Sequence, residues 1–312
     1  MNTKHLVTVA CAAAFCGGVW AAEAANAAVV AEEESSSLSD YVSVEAGIAI
    51  DSKYLSYGLV DNNDPIMTPS ACITFFDWLY LGVDAIFDMT PYGRKKIDGE
   101  RTYANRAGKY QEFDPYIGIG HAFSPEDYEF LPTTIEFSLD YCYEYHPESM
   151  GRAHWESWGE PSQFITLKVG LPDLWIEPAF TYERDIDRDD GTYLNLELGH
   201  TFPVIDGATE DDDPVLALRP SVAQGFGNGQ RMRYYLADAE GEALDHSGLM
   251  DTCIKLELTW NMCEYLSLTG YVAYYDFLFD AQVRDAARGY EAHGRWDESY
   301  NFIGGLALNF AF

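Results

Sequence analysis

Beyond its N-terminal apolar run, the chain contains no stretch of 18 consecutive apolar residues. No segment can therefore cross a bilayer as a helix, which takes about 20 apolar residues. Basic residues are scarce: 19 Lys and Arg stand against 51 Asp and Glu, a formal net charge of −32. That shortage removes the electrostatic footprint of nucleic-acid or anionic-lipid binding, so no nucleic-acid partner is expected. Cysteine is sparse, with 6 in 312 residues. Cys72, Cys142, Cys253 and Cys263 lie outside the N-terminal run, and their spacing matches no zinc motif. A disulfide among them is compatible with an oxidising compartment, but sequence alone leaves the pairing open. Helical periodicity is also missing. The most helix-like piece, residues 281–287, lies inside a connection. What the chain has in plenty is aromatic: 22 Tyr, 17 Phe and 7 Trp. Disordered acidic chains are poor in such residues, so disorder is excluded.

The N-terminus predicts a compartment. Lys4 and His5 precede an apolar run over 6–20, and Ala22-Glu23-Ala24 and Ala25-Asn26-Ala27 follow as small-residue cleavage sites. That order reads as a cleaved secretory signal peptide over 1–27. A lipoprotein reading through Cys11 or Cys16 lacks a leucine-led box. Residues 28–40 form a flexible acidic lead, and 41–312 a single further domain.

From Tyr41 the texture is alternating. Val42, Val44, Ala46, Ile48 and Ile50 share one parity; Ser43, Glu45, Gly47 and Asp51 share the other. Period two marks a strand with one apolar and one polar face. The pattern predicts strands over 41–57, 66–76, 79–90, 110–123, 130–145, 162–171, 174–185, 191–202, 214–226, 248–261, 264–279 and 299–312. Their connections take turns in length. Asp77-Trp78, 124–129, Pro172-Asp173 and Met262-Cys263 are mostly tight, with 203–213 of the same set the exception in length, whereas 91–109, 146–161, 227–247 and 280–298 are long. Exported chains that span a membrane without helices must close their strands into a barrel. Alternating long loops and short turns then fit an all-β, up-and-down antiparallel barrel of about twelve strands in a Gram-negative outer membrane, with both termini periplasmic.

Aromatic placement fits two interfacial belts. Phe75, Phe76, Trp78, Tyr80, Phe123, Tyr128, Trp175, Trp260, Tyr265, Phe310 and Phe312 gather near the short turns. Tyr57, Tyr92, Tyr110, Tyr143, Tyr145, Tyr182, Tyr193 and Phe279 gather at the opposite strand ends. The last segment alternates Tyr300, Phe302, Gly304, Leu306, Leu308, Phe310, Phe312. It resembles the C-terminal signature that outer-membrane barrels present to their assembly machinery, which makes Phe312 the expected contact.

If the apolar parity faces lipid, the other parity lines a lumen. The inward candidates are Glu45, Asp51, Asp84, Glu136, Asp140, Glu144, Lys168, Arg219, Lys255 and Glu257, with Glu112, Asp114, Glu177, Glu183 and Glu197 as further acids. Two readings stand open. An acidic lumen attracts cations, as acid rings do in channels. Alternatively, these groups form a hydrogen-bonded interior plug bridged by the few bases. The inward cysteines read as small space-fillers.

Three motifs at or between the strand ends could carry chemistry. Asp185, Asp187 and Asp189, before Gly191, echo a calcium loop, but the glycine comes one position late and Leu196 occupies the twelfth position. An Asp-Gly hairpin explains the same residues, so loop-bound calcium is a minor expectation and no other cofactor is expected. Gly225-Phe226-Gly227-Asn228-Gly229 reads as a flexible loop with no strand–helix unit behind it. His146 and Asp245-His246 are the nearest catalytic candidates, without a nucleophile motif, and no enzyme activity is expected.

Asp51-Ser52-Lys53-Tyr54-Leu55-Ser56-Tyr57-Gly58-Leu59, followed by Asp64-Pro65-Ile66-Met67-Thr68-Pro69-Ser70, resembles a family of bacterial outer-membrane barrels of unknown function. Members often open on a Tyr-x-x-Arg-Gly element, then an Asp-Pro and a second strand. Tyr57 stands here where that arginine would be. The resemblance implies an outer-membrane barrel and no substrate. The functional expectation is a passive, cation-leaning channel for small solutes. The alternatives are a non-conducting surface barrel whose acidic loops bind a partner or divalent-bridged lipopolysaccharide, and, last, a barrel enzyme.

Overall fold

The computed structural model describes residues 41–90, 93–97, 100–104, 110–146, 161–208, 213–236, 243–289 and 300–312. The segments read as signal peptide and acidic lead, and residues 147–160 of one long connection, lie outside them.

The first strand, β1 (Val42–Asp51), is followed by a short hairpin, β2 (Tyr54–Ser56) and β3 (Leu59–Asn62). Then come β4 (Ile66–Phe75), β5 (Leu79–Asp88), the loop hairpin β6 (Gly93–Ile97) and β7 (Glu100–Ala104), and β8 (Tyr110–Phe123). Next are β9 (Ile135–Glu144), β10 (Ser162–Gly170), β11 (Ala179–Asp185), β12 (Thr192–Gly199), β13 (Phe202–Ile205) and β14 (Leu216–Gly227). Helix α1 (Gly229–Tyr235), β15 (Gly248–Cys263), β16 (Leu266–Asp276), helix α2 (Ala281–Gly289) and β17 (Tyr300–Ala311) complete the chain.

Twelve long strands pair in one antiparallel ring. Its order is β12, β11, β10, β9, β8, β5, β4, β1, β17, β16, β15, β14, and β14 returns to β12. Closure leaves no open edge. β13 extends β12 along the lower part of β14. The first and last strands meet at the seam, where Val44 and Phe312 exchange backbone hydrogen bonds of 2.9 and 2.8 Å. Both strands therefore end on the rim that carries the short turns.

The predicted faces hold. Ile48, Ile73, Ile117, Leu139, Leu256 and Leu306 are exposed on the outer wall, while Cys72, Cys142, Thr166, Lys255 and Glu257 of the other parity are buried inside. At the short-turn rim Trp78 stacks on His121 with centroids 4.1 Å apart, and Tyr265 stacks on Phe312 at 6.0 Å. Tyr145, Phe279 and Tyr300 are exposed towards the long-loop rim. An outward apolar wall between two aromatic rims suits a hydrocarbon slab.

Several boundaries differ from the sequence expectation, among them that of β9, which starts at Ile135 and not at 130 because a turn and a bend occupy 130–134. The first strand stops at Asp51, because Tyr57 and Gly58 take positive φ, 50° and 79°, and reverse the chain into the β2–β3 hairpin. The strand expected from 174 starts at Ala179. Two successive turns precede it, closed by Leu174 N–H to Leu171 O and Glu177 N–H to Leu174 O. The last short turn sits at Glu264-Tyr265, not Met262-Cys263, since β15 runs to Cys263. The glycine cluster is not a free loop. Gly225 and Gly227 finish β14, and the Asn228 side chain accepts the Arg231 N–H at 3.0 Å to cap α1. A seven-residue helix is too short to announce itself by periodicity.

Inside the wall, rings occupy the space that glycines leave. Gly82 pairs with Tyr116, and Tyr80 with Gly118, across β5 and β8. A side chain at either glycine would strike the facing ring.

Candidate functional site

The lumen is the candidate site. Its long-loop half is filled by the chain itself. The β2–β3 hairpin turns inward, and Leu55 and Val60 pack with Ala223, Cys253, Ala273, Tyr275 and Ile303 of the wall. On the far side, the Tyr54 hydroxyl donates to both Glu112 carboxylate oxygens at 3.0 and 3.1 Å. The hairpin thus crosses the lumen from β14–β17 to β8. Above it, Tyr57 and Leu59 join Met232, Tyr235 and Leu236 of the first helical connection, and Val283, Ala286 and Ala287 of α2. Leu55, Met232, Met250 and Val283 are each 0% exposed, which marks a dry, packed stopper.

A buried arginine sits within that stopper. Arg231 is 0% exposed. It donates to the Tyr57 hydroxyl at 2.7 Å and to Glu183 at 3.1 Å, and its Nε lies 3.3 Å from Asp189. Its guanidinium lies over the Tyr57 ring, 4.6 Å from the centroid. Burial works against the charge. The Tyr57 hydroxyl oxygen and the Glu183 and Asp189 carboxylates around it nonetheless hold the guanidinium protonated, with its pKa well above the ordinary value. Tyr57 and Tyr193 therefore belong to the interior, not to the rim belt expected of them. The hairpin carries Tyr57 inward, and Tyr193 lies on the inward parity of β12, where its hydroxyl donates to Asp251 at 2.9 Å. Of the other rim candidates, Tyr92 and the Tyr110 side chain lie outside the described positions.

The sequence-predicted lumen residues fall into local groups, not one ring. Arg219 joins Glu177 and Glu197. Lys255 and Glu257, two apart on one face of β15, pair at 3.0 Å. Lys168 is the charge partner of Asp84 and Asp140, and the Tyr80 hydroxyl donates to Asp140 at 3.2 Å. Asp51 accepts from Tyr271. Glu136 is exposed at the short-turn end beside Gly170. Glu45 points inward, and its buried Oε1 has no hydrogen-bond partner.

Glu144 belongs to a cluster at the top of β8 and β9. Arg188 donates to it at 2.9 Å, and His146 Nε2 lies 2.5 Å from it. Burial would depress the imidazole, but the Glu144 hydrogen bond and the charges of Glu112 and Glu144 outweigh it and raise His146 to about 9. Arg188 is absent from the sequence candidates, because it lies in a loop where strand parity says nothing. The same holds for Arg231.

The calcium candidates do not act as a set. Asp185 accepts from Ser162 at 2.7 Å and from the N–H groups of Asp187 and Arg188, each at 2.9 Å. Asp187 accepts from Gln163 at 2.9 Å, and Asp189 faces Arg231. Nor do Asp245 and His246 form a dyad. Asp245 pairs with Arg233, and His246 with Asp280 at 2.7 Å.

No protein-family model matches the chain, and no curated protein is similar to it in sequence. Among solved structures it is similar to the KdgM porin, at 7% identity and a TM-score of 0.44, over 86% of this chain and 99% of that one. It is also similar to an outer-membrane channel from Pseudomonas putida F1, at 9% identity and 0.46, over 91% and 100%. The NanC porin is a third, at 8% identity and 0.41, over 86% and 98%.

Proposed function

We propose that the protein is a porin-like channel of a Gram-negative outer membrane, favouring small cations and narrowed at its long-loop half by the inward hairpin. The observation that carries this reading is the sign of the inward wall. Glu45, Asp84, Glu136 and Asp140 lie towards its lower and middle part, where Lys168 is the cation facing Asp84 and Asp140. Charged side chains around a narrow passage set which ions enter it. A barrel of this strand number has room for a narrow passage only. Export by a signal peptide over 1–27 and delivery to the assembly machinery through Phe312 complete the reading, which is one of transport without catalysis.

Reversal potentials in planar bilayers under a KCl gradient test it. Wild type is expected to be cation-selective. Asp140→Asn is expected to lower the selectivity, and Lys168→Gln to raise it. Anion preference, or a selectivity indifferent to both substitutions, overturns the reading.

The dryness of the stopper favours a second reading: a closed surface barrel whose acidic loops bind a partner, or lipopolysaccharide through divalent cations. It predicts no current from wild type at all, and loop-dependent retention of lipopolysaccharide vesicles that a chelator abolishes.

A further inference from the structure

The cluster at the top of β8 and β9 has the geometry of a binding site. Phe113 and Tyr145 bridge β8 to the end of β9. Their neighbours on the inward parity, Glu112 and Asp114 on one side and Glu144 and His146 on the other, therefore face the same space. One ligand atom each from Glu112, Glu144 and His146 lies within 4.8 Å of the others, and all three residues are buried.

Two side chains there hold buried polar atoms that make no hydrogen bond. Asp114 is 0% exposed, and neither of its carboxylate oxygens receives a hydrogen bond. Its carboxyl lies against that of Glu112. The His146 ring is 10% exposed. Its Nδ1 makes no hydrogen bond and faces Glu112 Oε2 from 3.8 Å. Three buried acidic side chains thus converge with two basic groups, the Arg188 guanidinium, which reaches Glu144, and the His146 imidazole, which faces Glu144 and Glu112. Acids gathered in a buried space demand protons or cations between them, and a metal ion supplies that charge in place of a proton.

We propose that Glu112, Glu144 and His146, with Asp114 as a fourth donor, bind a divalent first-row transition ion such as zinc. The donor set argues for this class. Imidazole nitrogen together with carboxylate oxygen suits zinc, manganese or iron, whereas calcium takes oxygen ligands. Ligand atoms about a tetrahedral zinc stand roughly 3.3 Å apart, so a spread of 4.8 Å closes by small side-chain rotations. The outer partners are in place. Tyr54 donates to Glu112, and Arg188 to Glu144, as orienting groups do around ligating carboxylates. Because Tyr54 belongs to the inward hairpin, an ion here also fixes the hairpin to β8. The site does not depend on whether the barrel conducts.

The test uses the full-length barrel refolded in detergent, stripped with EDTA and titrated calorimetrically with zinc alone. One saturable equivalent is expected. Its affinity should fall about tenfold or more in His146→Gln and in Glu112→Gln, while both variants keep the heat-modifiable gel mobility of the folded barrel. Zinc held loosely by acidic loops would ignore both substitutions. X-ray absorption at the zinc edge on the wild-type complex gives a reading that needs no variant, with one imidazole nitrogen among oxygen ligands expected. A missing saturable equivalent, unchanged affinity in folded His146→Gln, or an all-oxygen shell would overturn the site. The cluster would then hold protons on its carboxyls and imidazole instead.

Discussion

The guanidinium of Arg231 donates to the Tyr57 hydroxyl, and that hydroxyl donates onward to Glu183. Residues 174 positions apart thereby join a loop helix, an inward hairpin and the barrel wall in one buried unit. Replacing Arg231 with Met leaves Glu183 and Asp189 buried without their cation. The expected loss is about 3–5 kcal/mol of unfolding free energy, measured by urea titration of the refolded barrel. If the stopper is the constriction, Arg231→Met also raises single-channel conductance.

Leu55 is 0% exposed, at the centre of the hairpin's contact with the wall. Leu55→Ala removes buried methyl groups and leaves a cavity, at a cost of about 2–5 kcal/mol. Hydrogen exchange is expected to quicken at Leu55 and Val60 and to stay slow in β15 and β16. Uniform loosening of the barrel would contradict a hairpin that packs as a separate layer.

Leu256 lies at the middle of β15, outward and 45% exposed. Leu256→Arg should cost about 2–4 kcal/mol for folding into lipid vesicles if that face meets hydrocarbon. Equal folding of the variant and wild type into vesicles would move the bilayer off this wall.

Asp280 starts α2. Its carboxylate accepts from the N–H groups of Gln282 and Val283 at 3.0 and 3.3 Å, and it pairs with His246. Burial works against the carboxylate. The His246 hydrogen bond and the helix N–H groups prevail and hold its pKa below the ordinary value. A lowered folded pKa means the charged form supports folding above the unfolded pKa, and this support is lost as pH falls through the folded value. Asp280→Ala should therefore cost about 1 kcal/mol at neutral pH. The gap from wild type should persist down to about pH 4 and narrow only in stronger acid. Thermal melts between pH 3 and 8 would show this.

The wall was legible in the sequence because parity is a local property. Val42 to Ile50 show their faces without any knowledge of a neighbouring strand. The stopper was not legible, because the residues that build it look ordinary in isolation. Tyr57 stands at a strand end and reads as a rim aromatic until the positive φ of Tyr57 and Gly58 is known. Arg231 and Arg188 sit in connections, where alternation carries no information. The acids of the upper cluster were all identified as inward, yet only the β8–β9 register sets Asp114 and Glu112 beside Glu144 and His146. That register depends on pairing between distant segments, which one strand's pattern does not encode.

The facing pairs Gly82 with Tyr116 and Gly118 with Tyr80 set a rule for how this interior can diverge. Each of these two inward rungs of β5 and β8 holds one ring and one vacancy, and the vacancy changes strand from one to the next. Growth at a glycine is tolerated only with shrinkage of the ring across from it. Among descendants of this chain the two positions of each rung should therefore change in concert, while the outward residues between them drift freely among apolar types.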